Sequence, residues 1–168
     1  RRVVVGVDPP AGTDGDSCGI VVCALDEGGI GWVLAHPSPG GLSPQGWARK
    51  VAASASAWGA HRVVAEANNG GKMVESVLRA ADSALPVRLV HASDGKSARA
   101  EPVAALFEGG RVRLAGAFPE LEDELCGLLA GGRYVGPGRS PDRADAMVWA
   151  MTELMLTRQR AAPRISLL

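Results

Sequence analysis

The chain opens on an unbroken apolar run. Arg2 to Asp8 reads Arg-Val-Val-Val-Gly-Val-Asp, and Pro9-Pro10-Ala11-Gly12 stops it, which predicts a strand buried on both faces and ending on a carboxylate. Cys18 to Leu25 is a second such run and Ile30 to Ala35 a third, with the turn residues Asp26-Glu27-Gly28-Gly29 between them. Three strands joined by short connections predict an antiparallel meander. Helical spacing then takes over. Ser43 as cap and Pro44 at the first position start a helix that runs to about Trp58, with Trp47, Val51 and Trp58 on its core stripe. Arg62 to Glu66 is a fourth strand, and it too ends on an acid. A helix follows from Lys72 to Ala81, then a strand from Pro86 to His91 and a helix from Ala98 to Glu108, closed by Gly109-Gly110. Arg111 to Leu114 is a short strand, Glu120 to Leu129 a helix, and the last helix runs from Pro141, capped by Ser140, to about Gln159.

The order is a meander and then alternating helices and strands, an α/β fold with a mixed sheet flanked by helices. Residues 1–160 form one domain and 161–168 a tail. The loop after the first strand lacks G-x-G-x-x-G and the second element is a strand, which disfavours a Rossmann domain; no G-x-x-x-x-G-K-[ST] occurs anywhere.

Charge narrows the function classes. Eighteen Lys and Arg balance eighteen Asp and Glu, so any nucleic-acid contact must come from local clusters. Cys18, Cys23 and Cys126 show no C-x-x-C spacing and suit reduced core thiols better than a zinc site. Without a run of about 20 apolar residues or a signal-peptide pattern, the expectation is a soluble cytoplasmic protein. The start on a strand with no initiator Met suggests a domain cut from something longer.

Three acids stand out. Asp8 and Glu66 lie at strand ends, and if those strands are parallel neighbours both emerge at one sheet edge. Asp145 shares a helical stripe with Val148, Trp149 and Thr152, so its side chain points with the buried face, where an acid wants a metal or a cationic partner. Asp8 also fits a turn-former, and Asp142 fits a first-turn acid on the helix dipole. Three carboxylates without clustered His or Cys make a hard oxygen site suited to Mg2+ or Mn2+. Such a site can hold two ions about 3.5–4 Å apart for phosphodiester hydrolysis.

The arrangement resembles the ribonuclease H-like nucleases and Holliday-junction resolvases. More narrowly, Val-Gly-Val-Asp-Pro-Pro-Ala-Gly, Ala-Glu-Ala-Asn-Asn-Gly-Gly-Lys-Met-Val, the segment from Lys96 reading Lys-Ser-Ala-Arg-Ala-Glu-Pro-Val, the segment from Phe118 reading Phe-Pro-Glu-Leu-Glu-Asp-Glu-Leu, and Pro-Asp-Arg-Ala-Asp-Ala-Met-Val-Trp-Ala are similar to the C-terminal nuclease domain of terminase large subunits, which package viral DNA and have relatives in gene transfer agents. The resemblance implies an endonuclease that cuts concatemeric double-stranded DNA, with Asp8, Glu66 and Asp145 as catalytic metal ligands and Asp142 as an auxiliary ligand or positioning group. It implies a small subunit and a portal as partners in the full motor, and an ATPase domain outside this chain. The isolated domain is expected to be a monomer.

Lys72, Arg79, Lys96, Arg99 and Arg143 lie near these acids in sequence and are candidate phosphate contacts, with a solvated face as the alternative for each; Lys96 and Arg99, one turn apart after a Gly, are the best pair. The Gly- and Arg-rich stretch Gly131 to Arg139 is a candidate flap over DNA, and Asp14 and Asp16 are loop acids. His36, His61 and His91 read as structural or surface groups, and Trp32 and Trp149 as core. A junction resolvase, a catalytically silent DNA- or protein-binding module and a sugar-kinase-like nucleotide-binding domain are the competing readings.

Overall fold

The computed structural model describes residues 1–10, 17–68, 70–129 and 134–157. Asp14, Asp16, residues 131–133 of the Gly-rich stretch and the 161–168 tail lie outside the described residues. The strands form one six-stranded sheet in the order β5-β4-β1-β2-β3-β6. β1 (Arg2–Asp8) runs antiparallel to β2 (Gly19–Leu25), from Arg2 opposite Leu25 to Asp8 opposite Gly19. β3 (Gly31–Ala35) continues the meander. On the other side of β1, β4 (Arg62–Glu66) pairs in parallel and β5 (Val87–Val90) adds beyond it, while β6 (Val112–Leu114) lies parallel to β3. The mixed sheet predicted from the sequence is therefore present.

Both faces of the sheet are covered. Successive side chains of a strand point to opposite faces, so Val3, Val5 and Val7 pack with Trp47, Val51 and Leu78 of α1 (Pro44–Trp58) and α2 (Gly71–Ala81). Val4, Val21 and Val64 pack on the other side with α3 (Lys96–Glu108), α4 (Pro119–Leu129) and α5 (Asp142–Met151). This is why β1 is apolar from Val3 to Val7, up to its terminal acid.

α1 forms as its signals say. Ser43 Oγ accepts from Gly46 N at 3.2 Å, Pro44 is the first residue, and Gly59 closes the helix in the left-handed region at φ 58°. Trp58, expected on the core stripe, is instead 37% exposed. Periodicity states which face a residue shares, not how far the facing element extends. Trp32 is likewise only half-buried, its Nε1 donating to Asp26 Oδ2 at 2.9 Å in the hairpin turn. Cys18 and Cys23 are buried, and burial pushes both thiols up, but Cys126 is exposed rather than in the core.

The end of the chain departs most from expectation. Pro141, not Ser140, is the residue before α5, and the Ser140 hydroxyl accepts from Lys96 instead. α5 ends at Met151 and passes into a π-helical turn, Thr152–Leu156, and Thr157 leaves it in extended backbone, so the helix stops short of the expected Gln159; residues 158 and 159 lie outside the described residues. α3 starts at Lys96, two residues before its predicted start.

α5 lies directly against the sheet. A Cβ placed on Gly6 of β1 would sit 1.9 Å from the Ala146 carbonyl oxygen, and one on Gly19 of β2 would sit 1.9 Å from that of Asp142. Only glycine permits this approach, and it carries the first turn of α5 to the acidic end of β1.

Candidate metal centre

The parallel register of β1 and β4 sets Val7 beside Ala65, so the next residues, Asp8 and Glu66, leave the sheet at the same edge. α5 crosses that edge and adds Asp145 from its first turn. One carboxylate oxygen from each of the three acids lies within 4.8 Å of the others. Asp8 is 7% exposed and Asp145 is fully buried. Burial pushes the Asp8 carboxyl up to about 8; Lys96 opposes the shift, and the neighbouring charges of Asp145 and Asp142 add to it.

Two cations from α3 enter the cluster. Lys96 Nζ donates to Asp8 Oδ2 at 2.9 Å and to Ser140 Oγ at 3.0 Å, and lies 3.1 Å from Asp145 Oδ2 and 3.9 Å from Asp142 Oδ1. Burial pulls Lys96 down, but the charges of Asp8 and Asp145 outweigh it and hold the ammonium above the ordinary lysine range. Arg99 Nη2 donates to both Asp145 oxygens at 2.7 Å and to Glu66 Oε2 at 3.2 Å, while its Nη1 donates to the Asp94 carbonyl at 2.7 Å. Its guanidinium stacks 4.8 Å from the centre of the Trp149 ring, whose Nε1 donates to Glu66 Oε2 at 2.8 Å. Trp149, expected to be core, thus both packs and orients a candidate ligand.

The donor set fits a hard divalent cation. Four carboxylates, from Asp8, Glu66, Asp142 and Asp145, face two cationic side chains, which leaves two excess negative charges when all are ionised. Carboxylate oxygens at this density suit Mg2+ or Mn2+.

The other predicted cations lie elsewhere. Lys72 is exposed in the first turn of α2, after the strand that carries Glu66. Arg79 pairs with Glu75 one turn earlier on the same helix, at 3.0 Å. Arg143 Nη1 donates to Glu124 Oε1 at 2.7 Å, so the structure brings Arg143 to α4 and not into the carboxylate cluster. His61 is structural, its Nδ1 accepting from Val3 N at 3.1 Å.

Sequence reasoning assigned no role to Glu124. This residue of α4 is 2% exposed, and its Oε2 accepts from the backbone N–H groups of Arg143 at 2.8 Å and Ala144 at 3.0 Å. The signal was available: Leu121, Glu124, Leu125 and Leu128 form one helical stripe, an acid among leucines, as Asp145 is an acid on the stripe of α5.

The family model described as the terminase RNaseH-like domain matches residues 5–154. No curated protein matches the chain. Among solved structures, it is similar to the large terminase nuclease from thermophilic phage G20c with bound magnesium, at 19% identity and a TM-score of 0.73 over 91% of this chain and 82% of that one. It is also similar to the nuclease domain of the large terminase subunit gp2 of bacterial virus Sf6, at 15% identity and a TM-score of 0.65 over 90% and 88%. The yeast mitochondrial Holliday junction resolvase Ydc2 is a more distant match, at 14% identity and a TM-score of 0.53 over 88% and 76%. These likenesses give the sheet and its helices an RNase H-like fold. With the family match running from the middle of β1 to the π-helical turn, the chain belongs to the terminase RNase H-like domain family.

Proposed function

We propose that this chain is a divalent-metal-dependent endonuclease that hydrolyses double-stranded DNA, with Asp8, Glu66 and Asp145 as the metal ligands and Asp142 as an auxiliary ligand. One observation carries the reading. Two buried or half-buried strand-end acids and a fully buried helix acid converge within 4.8 Å, with Asp142 beside them, and the two cationic side chains that reach them leave an excess of negative charge that a divalent cation would neutralise. The solved nucleases that share the fold, one of them with bound magnesium, support it. Asp8, Glu66 and Asp145 would hold a pair of Mg2+ or Mn2+ ions, which would lower the pKa of the attacking water and stabilise charge at the leaving 3′ oxygen.

The chain's own residues do the rest. Asp8, whose carboxyl pKa burial raises, would lose its proton on becoming a ligand. Lys96 and Arg99 neutralise the carboxylates, and both are long enough to exchange those partners for phosphate oxygens when DNA approaches. Trp149 holds Glu66 by its indole N–H and excludes water from one side of the cluster. Lys72, exposed beside this edge, is a further phosphate contact, whereas Arg143 is committed to Glu124. In a complete packaging motor the substrate is concatemeric DNA, delivered by a separate ATPase domain, with a small subunit and a portal as partners.

The test is incubation of the purified domain with supercoiled plasmid, and separately with a four-way junction, in Mn2+, Mg2+ or EDTA, beside Glu66→Ala. Nicking and linearisation of plasmid that require both metal and Glu66 are expected. Resolution of the junction with no plasmid cleavage would transfer the assignment to a resolvase, and metal-independent cleavage would remove the carboxylates from the mechanism.

A further inference from the structure

We infer that Glu124 is a positioning residue for this metal centre: it caps α5 from a neighbouring helix and so sets where Asp142 and Asp145 stand. The inference rests on the proposed metal site and adds a residue outside the carboxylate cluster.

A helix leaves its first N–H groups without intrahelical partners, and a Ser, Thr, Asp or Asn at the cap ordinarily takes one of them. α5 is preceded by Pro141, which has no side-chain acceptor, and Ser140 is engaged by Lys96. Glu124 supplies the acceptor from α4. Its Oε2 takes the Arg143 and Ala144 N–H groups at 2.8 and 3.0 Å, and its Oε1 takes Arg143 Nη1 at 2.7 Å. Both oxygens are thereby satisfied at 2% exposure. A buried carboxylate at a helix start also gains from the helix dipole.

The position matters because Asp142 and Asp145 belong to the same first turn. That turn is held from two sides. Below it, the Asp142 carbonyl seats against Gly19 and the Ala146 carbonyl against Gly6. Beside it, Glu124 grips the two intervening N–H groups, and α4 is fixed in the core by Leu121 and Leu128. The apolar residues from Ala146 to Met151 keep the body of the helix on the sheet without Glu124. What Glu124 adds is the placement of the turn that carries the acids. Loss of groups that orient metal ligands typically costs about 10–100-fold in metal affinity or activity.

The test is Mn2+ affinity, read by electron paramagnetic resonance of free Mn2+, with thermal unfolding in EDTA measured on the same samples. Glu124→Ala should weaken Mn2+ binding by about 10–100-fold. Glu124→Gln, which keeps an oxygen for the two N–H groups, should recover most of the loss. Val51→Ala, a core truncation in α1 on the opposite face of the sheet, should lower the melting temperature and leave Mn2+ affinity near wild type. If Glu124→Ala fails to fold, Glu124→Asp, one methylene too short to reach both N–H groups, carries the test and should still bind Mn2+ more weakly than wild type. Wild-type affinity in the folded Glu124 variants overturns the inference, as does an equal loss in Val51→Ala. A wild-type protein that binds no Mn2+ instead refutes the metal site itself, so the two failures are distinguishable.

Discussion

Metal binding at this site should release a proton from Asp8. In the folded chain burial raises that carboxyl from 3.8 to about 8, against the pull of Lys96. At pH 7 a group with a pKa of about 8 is roughly nine-tenths protonated, and a carboxyl must lose its proton to ligate a cation. Each site that fills at pH 7 should therefore release most of one proton, at a cost on the order of 1 kcal/mol, or roughly tenfold in apparent affinity relative to high pH. Affinity should rise about tenfold per unit between pH 6 and 7.5 and level off above 8. The sign for stability is opposite in the metal-free protein. Between about pH 4 and 8 the unfolded chain holds fewer protons at this residue than the folded one, so the Asp8 contribution to stability falls as pH rises through that window. Calorimetric titration with Mg2+ in two buffers of different ionisation enthalpy counts the protons, and Asp8→Asn supplies the control. A proton count near zero at pH 7, or an affinity flat from pH 6 to 8, would show that Asp8 is already ionised in the fold or is not a ligand.

Three further outcomes are expected. Asp145→Ala should abolish metal-dependent plasmid cleavage and, by leaving Arg99 in the cluster without its bidentate partner, lower stability by about 3–5 kcal/mol, measurable by urea unfolding; cleavage at the native rate would remove Asp145 from the ligands. Gly6→Ala should cost about 3 kcal/mol or more, because its Cβ meets the Ala146 carbonyl at 1.9 Å and the backbone of α5 must move; an unchanged melting temperature would contradict the close approach. Lys72→Ala should lower the salt slope of DNA binding by about one, read by fluorescence anisotropy at several salt concentrations, whereas Arg143→Ala should leave that slope unchanged because Arg143 is already held by Glu124.

Much of the site was legible before the structure. β1 and β4 end on Asp8 and Glu66 at the predicted residues, because a run of β-branched residues stopped by turn formers is a strand signal that tertiary context seldom overrides. Asp145 was placed on a buried face by helical spacing, and it is fully buried. The partners of these acids were not legible. Lys96 and Arg99 are one turn apart on α3, a pattern that also describes a solvated face, and only the packing of α3 turns both into the cluster. Trp58 illustrates the converse, an apolar stripe position at a helix end that remains exposed.

The local pattern by itself determined the elements, the antiparallel meander and the strand-end and helix-stripe acids, since each follows from residue preferences and periodicity over fewer than about 18 positions. The tertiary structure alone decided what meets what. It placed β4 beside β1 rather than at an edge, seated α5 on Gly6 and Gly19, and brought Glu124 across from α4 to cap a helix preceded by Pro141. Those contacts join residues far apart in the chain, and their free energy comes from packing and hydrogen bonds that exist only once the sheet and its helices have assembled.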